Sequence, residues 1–175
     1  PDDQSFATAG WDRTIRIWNL ESDKSKVIDT NHEDKGVPPH DGFNAINDLV
    51  VLSKDQLASC DRLGDIHIYD MNSGKQIGFL DKHKYSVNSL ALLSEKRLVS
   101  GGDDWKICVW GLEENKIYIK PHVEIGREEG LQKVQKVVKL SDTSFASTNN
   151  DGTIRIWSID GKDYTSNTLI TRPKR

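Results

Sequence analysis

The sequence predicts an all-β chain of about four similar units, each a four-stranded antiparallel sheet, with the first unit lacking its inner strand. Two observations carry most of that prediction. One phrase recurs four times without gaps: FATAGWDRTIRIW (Phe6 to Trp18), LASCDRLGDIHIY (Leu57 to Tyr69), LVSGGDDWKICVW (Leu98 to Trp110) and FASTNNDGTIRIW (Phe145 to Trp157). Within each copy apolar and polar residues alternate, as in Ile15-Arg16-Ile17, which is the period of a half-buried strand.

The spacing of the copies is the third observation. Their closing aromatics, Trp18, Tyr69, Trp110 and Trp157, stand 51, 41 and 47 residues apart, close to the roughly 40–45 residues of one four-stranded propeller blade. Strands follow in order from alternation and polar punctuation. The first unit offers FATAG, TIRIW and a peripheral strand around Lys26, and too few residues precede Phe6 for an inner strand. The second reads AINDLVVL, QLAS, DIHIY and KQIGFL; the third SVNSLALL, RLVSGG, KICVW and KIYIK (Lys116 to Lys120); the fourth KVQKVVKL, SFAST, TIRIW and SNTLIT (Ser166 to Thr171). Turns such as Ser94-Glu95-Lys96 and Asn150-Asp151-Gly152 separate them. The expected divisions are 1–31, 32–82, 83–121 and 122–175, all within one domain.

Composition bounds the function. The chain has 175 residues, 35% hydrophobic and 29% charged, enough to build a core. A net charge of -3 with mixed signs provides no basic face for a phosphate backbone, so nucleic acid is disfavoured. Apolar runs such as Leu49 to Leu52 and Leu90 to Leu93 fall far short of the roughly 18 residues of a membrane span. The opening PDDQSF has neither a basic end nor an apolar stretch, so no secretion signal is expected. Two cysteines, Cys60 and Cys108, and no glycosylation sequon suit an intracellular, cytoplasmic setting.

Together the repeated residues resemble the WD40 repeat: a His ahead of the first strand, a Ser or Thr in the second, an Asp in the tight turn and a Trp closing the third. The third unit holds the full set, His83, Ser100, Asp104 and Trp110; the first has Thr8, Asp12 and Trp18; the fourth Ser147, Asp151 and Trp157. The second is degenerate, keeping Ser59 but with Tyr69 for Trp, Leu63 at the Asp position and its nearest His, His40, displaced upstream. The fourth has Gly130 where a His would stand, with His122 far off. The resemblance implies a WD40 β-propeller whose Trp, Ser, His and Asp form a buried hydrogen-bonded chain within a blade.

The same residue types could make a hydrolytic triad, but that chemistry needs an exposed Ser on a strained turn and an oxyanion site, and none is visible. No catalytic residue, cofactor or metal is expected. His67 and Cys108 occupy the strand place filled by Arg16 and Arg155 in other units, and the acidic residues Asp65, Asp103 and Asp104 lack the spacing of a calcium loop. The segment Gly126 to Lys136 reads as a solvated loop entering a strand.

The resemblance also implies protein or peptide partners bound on the narrow face. The residues before the turn Asp map to Trp11, Arg62, Asp103 and Asn150, and those flanking the first apolar residue of the inner strand to Ala45, Asn47, Ser86, Asn88, Lys133 and Gln135. Four blades do not close a ring of the seven or eight usual in this family, so a partial ring is expected, completed by a longer parent chain, a second copy or another subunit. The expected function is a scaffold or adaptor in a protein complex; the alternative is the substrate-recognition or regulatory part of a longer enzyme, such as a ubiquitin ligase or kinase.

Overall fold

The computed structural model describes residues 4–22, 24–30, 45–112 and 121–170. Every regular element in them except one 3-10 turn is a strand, as the two-residue alternation requires. Sheet 1 contains β1 (Ser5–Ala9), β2 (Thr14–Asn19) and β3 (Ser25–Asp29); sheet 2 contains β4 (Ile46–Val51), β5 (Gln56–Asp61), β6 (Asp65–Asp70) and β7 (Gln76–Asp81). Sheet 3 contains β8 (Val87–Ser94), β9 (Arg97–Gly102), β10 (Ile107–Gly111) and β11 (Pro121–Ile125), and sheet 4 β12 (Val134–Lys139), β13 (Ser144–Asn149), β14 (Ile154–Asp160) and β15 (Asp163–Ile170). Each is an antiparallel meander paired in chain order.

One strand of the structure was not expected. The outer strand of sheet 3 is Pro121–Ile125, and the expected Lys116 to Lys120 falls outside the described residues. Sheet 3 therefore continues past residue 121. Packing holds this strand in place: Val123 and Ile125 enter the core, and Pro121 begins an edge strand, where a missing N–H costs nothing. His40, too, lies outside the described residues.

The sheets stand in a row, with β8 between β4 and β12, so that inner strands line one side. The core lies between the sheets in three clusters. Each joins the aromatic-bearing face of one sheet to an aliphatic face of the sheet before it. Leu57 and Tyr69 pack on Ile15 and Ile28; Leu98 and Trp110 on Ile66 and Ile68; Phe145 and Trp157 on Ile107 and Val109. Burying such side chains stabilises by about 1.5–3 kcal/mol each.

Two local features repeat. The turn between the second and third strand positions carries a left-handed residue in all four sheets: Arg13 (φ 60°), Gly64 (96°), Trp105 (67°) and Gly152 (81°). Each inner strand also breaks register near its start, between Ile46 and Asp48, Val87 and Ser89, and Val134 and Lys136. These bulges turn Asn47, Asn88 and Gln135 out of the ladder.

Candidate partner-binding face

The left-handed turns and the bulges meet at one end of the sheets. The turn is clipped to the inner strand of its own sheet by one backbone bond: Arg62 N donates to Ala45 O (3.2 Å), Asp103 N to Ser86 O (2.8 Å) and Asn150 N to Lys133 O (2.8 Å). Sequence spacing thus places these residues in pairs. In sheet 1 the turn reaches the next sheet instead, with Ile46 N donating to Gly10 O (3.4 Å).

Side chains then join the pairs across the sheets. The Arg62 guanidinium lies 5.4 Å from the centre of the Trp11 ring, which is 75% exposed. Asn47 Nδ2 donates to Ser86 Oγ (2.9 Å) and Val87 O (2.7 Å). Ser86 Oγ donates to Asn88 Oδ1 (3.0 Å), and Asn88 Nδ2 donates to Asp103 Oδ1 (2.7 Å) and Val134 O (2.8 Å). Lys133 Nζ completes the row at Asp103 Oδ2 (2.9 Å). Partial burial works against the Asp103 charge, yet the Lys133 and Asn88 bonds outweigh it and hold the carboxyl below the usual range.

Of the ten expected face residues, Asn47, Ser86, Asn88, Asp103 and Lys133 form this row, with Trp11 and Arg62 stacked at one end. Gln135 and Asn150 are exposed beside it. Ala45 is fully buried, which corrects its expected role: only its carbonyl contributes, holding Arg62. Asp48, one residue past the first bulge, was missed. Its Oδ2 accepts from Ser89 Oγ (2.9 Å), Leu90 N (3.0 Å) and Lys136 Nζ (2.8 Å), tying three inner strands together. Trp105 was missed as well, and the Arg127 guanidinium stacks 3.3 Å from its ring centre.

Behind the face lies the polar set. In sheet 3 it is complete: Trp110 Nε1 donates to Ser100 Oγ (2.8 Å), Ser100 Oγ lies 2.8 Å from His83 Nε2, and His83 Nδ1 lies 2.9 Å from Asp104 Oδ1. The donor inventory orders the protons as Trp N–H to Ser, Ser O–H to His and His N–H to carboxylate. The same Asp–His–Ser order would serve a nucleophile, but Ser100 is fully buried, its oxygen is bonded on both sides and the His83 side chain is 0% exposed.

Elsewhere the set is divided. Trp18 Nε1 donates to Thr8 Oγ1 (2.9 Å) and Trp157 Nε1 to Ser147 Oγ (2.9 Å), while Asp12 and Asp151 accept within their own turns, from Thr14 and Thr153, and Arg16 stands 3.9 Å from Asp12. Where sheet 4 lacks a His, Arg155 reaches the Glu129 (2.6 Å) and Gly130 (3.1 Å) carbonyls. His122 lies on β11 against Gly111, far from that place. In sheet 2, Ser59 bonds Tyr69, whose hydroxyl is pushed up mainly by burial.

Sheet 2 also brings together Asp61, Asp65 and His67, with donor atoms within 4.8 Å of one another. Asp61 Oδ1 already accepts from Leu63 N (2.9 Å) and Asp65 N (3.0 Å), so this carboxylate staples its turn, and His67 Nε2 stands 3.8 Å from its other oxygen.

Comparison with known proteins agrees with this geometry. The WD domain, G-beta repeat model matches residues 1–19 and 74–111. The chain is 22% identical over 160 residues to the small ribosomal subunit protein RACK1y of Oryza sativa subsp. japonica, covering 90% of this chain and 44% of that protein. It is 24% identical over 173 residues to the p21-activated protein kinase-interacting protein 1-like of Danio rerio, covering 97% of this chain and 42% of that one. Among solved structures, the WD40 β-propeller domain of Doa1 superposes with a TM-score of 0.72 at 25% identity, over 90% of this chain and 47% of that one. The chain thus spans less than half the length of these relatives.

Proposed function

The chain belongs to the WD40-repeat β-propeller family, and from that premise we propose that it is a protein-binding scaffold or adaptor within a multiprotein complex, engaging its partner through the narrow face. The observation that carries this reading is the Trp11–Arg62 stack, an exposed aromatic and an Arg held on a rim that the Asn47–Ser86–Asn88–Asp103–Lys133 row keeps rigid. Trp and Arg are the side chains that most often dominate interface energies, and a fixed rim loses little entropy on binding. The names of two relatives support an assembly role, one a small ribosomal subunit protein and one a kinase-interacting protein.

Binding, not catalysis, is the reading, because the Asp104–His83–Ser100 row is closed to substrate. Among the described residues no helix is long and apolar enough to cross a membrane, and both cysteines are unbridged and buried, which suits the intracellular setting we propose. The regulatory-portion reading finds support in the 25% identity to human apoptotic protease-activating factor 1, of which this chain matches 14%.

A photo-crosslinking residue at position 11 or at position 75 tests the face. Lys75 is exposed in the β6–β7 turn, at the opposite end of the strands from the β5–β6 turn that carries Arg62. Adducts to a protein partner are expected at 11 and not at 75, and Trp11→Ala or Arg62→Ala should each weaken that binding by more than about 1 kcal/mol. Adducts at 75 alone, with binding indifferent to both substitutions, would place the partner on the outer edge.

A further inference from the structure

At the end where turns and bulges meet, the carboxylates are engaged within the protein and two cations are not. Asp48 Oδ2 accepts three hydrogen bonds, Asp103 accepts from Asn88 and Lys133, and Asp104 accepts from His83 and from Lys84 N (3.2 Å). Asp12 and Asp151 each hold a threonine of their own turn. Lys133 and Lys136 are paired with Asp103 and Asp48. Among the described residues, neither the Arg62 guanidinium nor the Lys84 ammonium has a carboxylate partner, and both side chains are exposed. The two stand at one junction, because the 83–85 backbone crosses the sheet 2 turn: a Cβ added at Gly64 would lie 2.8 Å from the His83 and Tyr85 carbonyl oxygens. Tyr85, next to Lys84, is 64% exposed. Sheets 2 and 3 have a neighbouring sheet on each side, so this exposure does not come from the ends of the row.

We propose that the partner of this face is an acidic peptide, one of whose carboxylate side chains pairs with the Arg62 guanidinium while Lys84 attracts a second acid. The inference rests on the partner-binding reading of the face and names the chemistry of what binds there. The Arg62 guanidinium lies over the Trp11 ring, 5.4 Å from its centre, and a guanidinium held on a ring keeps its in-plane N–H donors free for the two oxygens of a carboxylate. Stacking also fixes a long side chain in advance, so less entropy is lost on binding. Asp103, the acid nearest in this row, does not compete, since Asn88 and Lys133 already hold it. Tyr85 offers a ring beside the cations for an apolar neighbour of the acid. The acid must be local. With a net charge of -3 the chain as a whole repels a long polyanion, which favours a short acidic segment over nucleic acid.

The test pans a library of short random peptides against the full chain and compares the retained sequences with the input. Enrichment in Asp and Glu is expected. A retained peptide, made with a fluorescent label, should bind Arg62→Gln about tenfold more weakly, Lys84→Met more weakly by a smaller factor, and Lys75→Gln as well as the unaltered chain. Arg62 is exposed, so Arg62→Gln should fold, which circular dichroism checks. The same peptide with its Asp and Glu replaced by Asn and Gln should lose a similar factor on the unaltered chain and lose little more on Arg62→Gln, since both changes remove one interaction. Peptides without acidic enrichment, or bound equally by Arg62→Gln, overturn the acidic partner; if they still form adducts at position 11, the face remains a binding site of other chemistry. Adducts at position 75 alone overturn both readings. A phosphoserine that binds about tenfold tighter than the acid it replaces would assign the site to a phosphoryl group, and overturns the carboxylate.

Discussion

The His83 ring has both nitrogens engaged, one by Ser100 and one by Asp104, and its side chain is sealed from water. Removing the acceptor therefore strands a buried N–H. Asp104→Ala should cost roughly 1–3 kcal/mol, the usual penalty for a buried polar group left unpaired. Asp12 holds the corresponding place in sheet 1, but its carboxylate is 59% exposed and bonds Thr14 two residues on, which also holds its carboxyl below the ordinary range. Asp12→Ala should cost under about 1 kcal/mol, since water replaces the lost partner. Urea denaturation of the two variants side by side checks this. Equal losses would mean that the turn alone, and not the chain of bonds from Trp110, gives Asp104 its value.

At the scale of elements, the left-handed turn is the recurring device. Gly64 has no Cβ to clash, and an added one would stand 2.8 Å from the His83 and Tyr85 carbonyl oxygens. Gly161, in the β14–β15 turn, has a similar left-handed φ of 62° with nothing within 4 Å of the added atom. Gly161→Ala should therefore cost about 1–2 kcal/mol, the backbone strain alone, and Gly64→Ala clearly more. Thermal melts of both variants would show it, and equal shifts would remove the close packing of the sheet 2 turn on the sheet 3 loop as a cause. Most strands were legible, because the aligned phrase marks the hairpin of the second and third strand positions in each sheet and alternation marks others. The strand Pro121–Ile125 was not, since PHVEI lies outside the repeated phrase and its place in sheet 3 rests on the burial of Val123 and Ile125 against the next sheet. The bulges left a trace that went unused: Asn47-Asp48, Asn88-Ser89 and Gln135-Lys136 are consecutive polar pairs where alternation would place one. Turn residues of the face were readable from the phrase, whereas the burial of Ala45 and the reach of Asp48 to Lys136 depend on how inner strands sit beside one another, which no local pattern encodes.

Across the described residues, sheets are joined by apolar clusters and, at the end where the left-handed turns meet the inner strands, by a few charged clips. Asp103 is one: it accepts from Asn88 of its own sheet and from Lys133 of the next, and its carboxyl is held below the ordinary value of 3.8 although partial burial opposes the charge. A carboxyl with a depressed folded pKa binds its proton more weakly folded than unfolded. Its contribution is therefore fully present above the unfolded value and is lost as pH falls through the folded one. Glu124 has the same sign, since partial burial opposes its charge but Lys106 and Lys82 overcome that and hold it low. Stability should thus fall as pH drops below about 4. Asp103→Asn isolates one share of that fall. At neutral pH the variant should be less stable by under about 1 kcal/mol, because Asp103 and Lys133 are partly exposed and water screens the pair. As pH falls below 3.8 the difference should close, the wild-type carboxyl becoming neutral like its replacement. Urea midpoints of both proteins from pH 7 to pH 3 give the comparison. A constant gap over that range would show that shape, and not charge, makes Asp103 a clip between sheets 3 and 4, and Lys133→Met should then be as harmless at pH 7 as at pH 3.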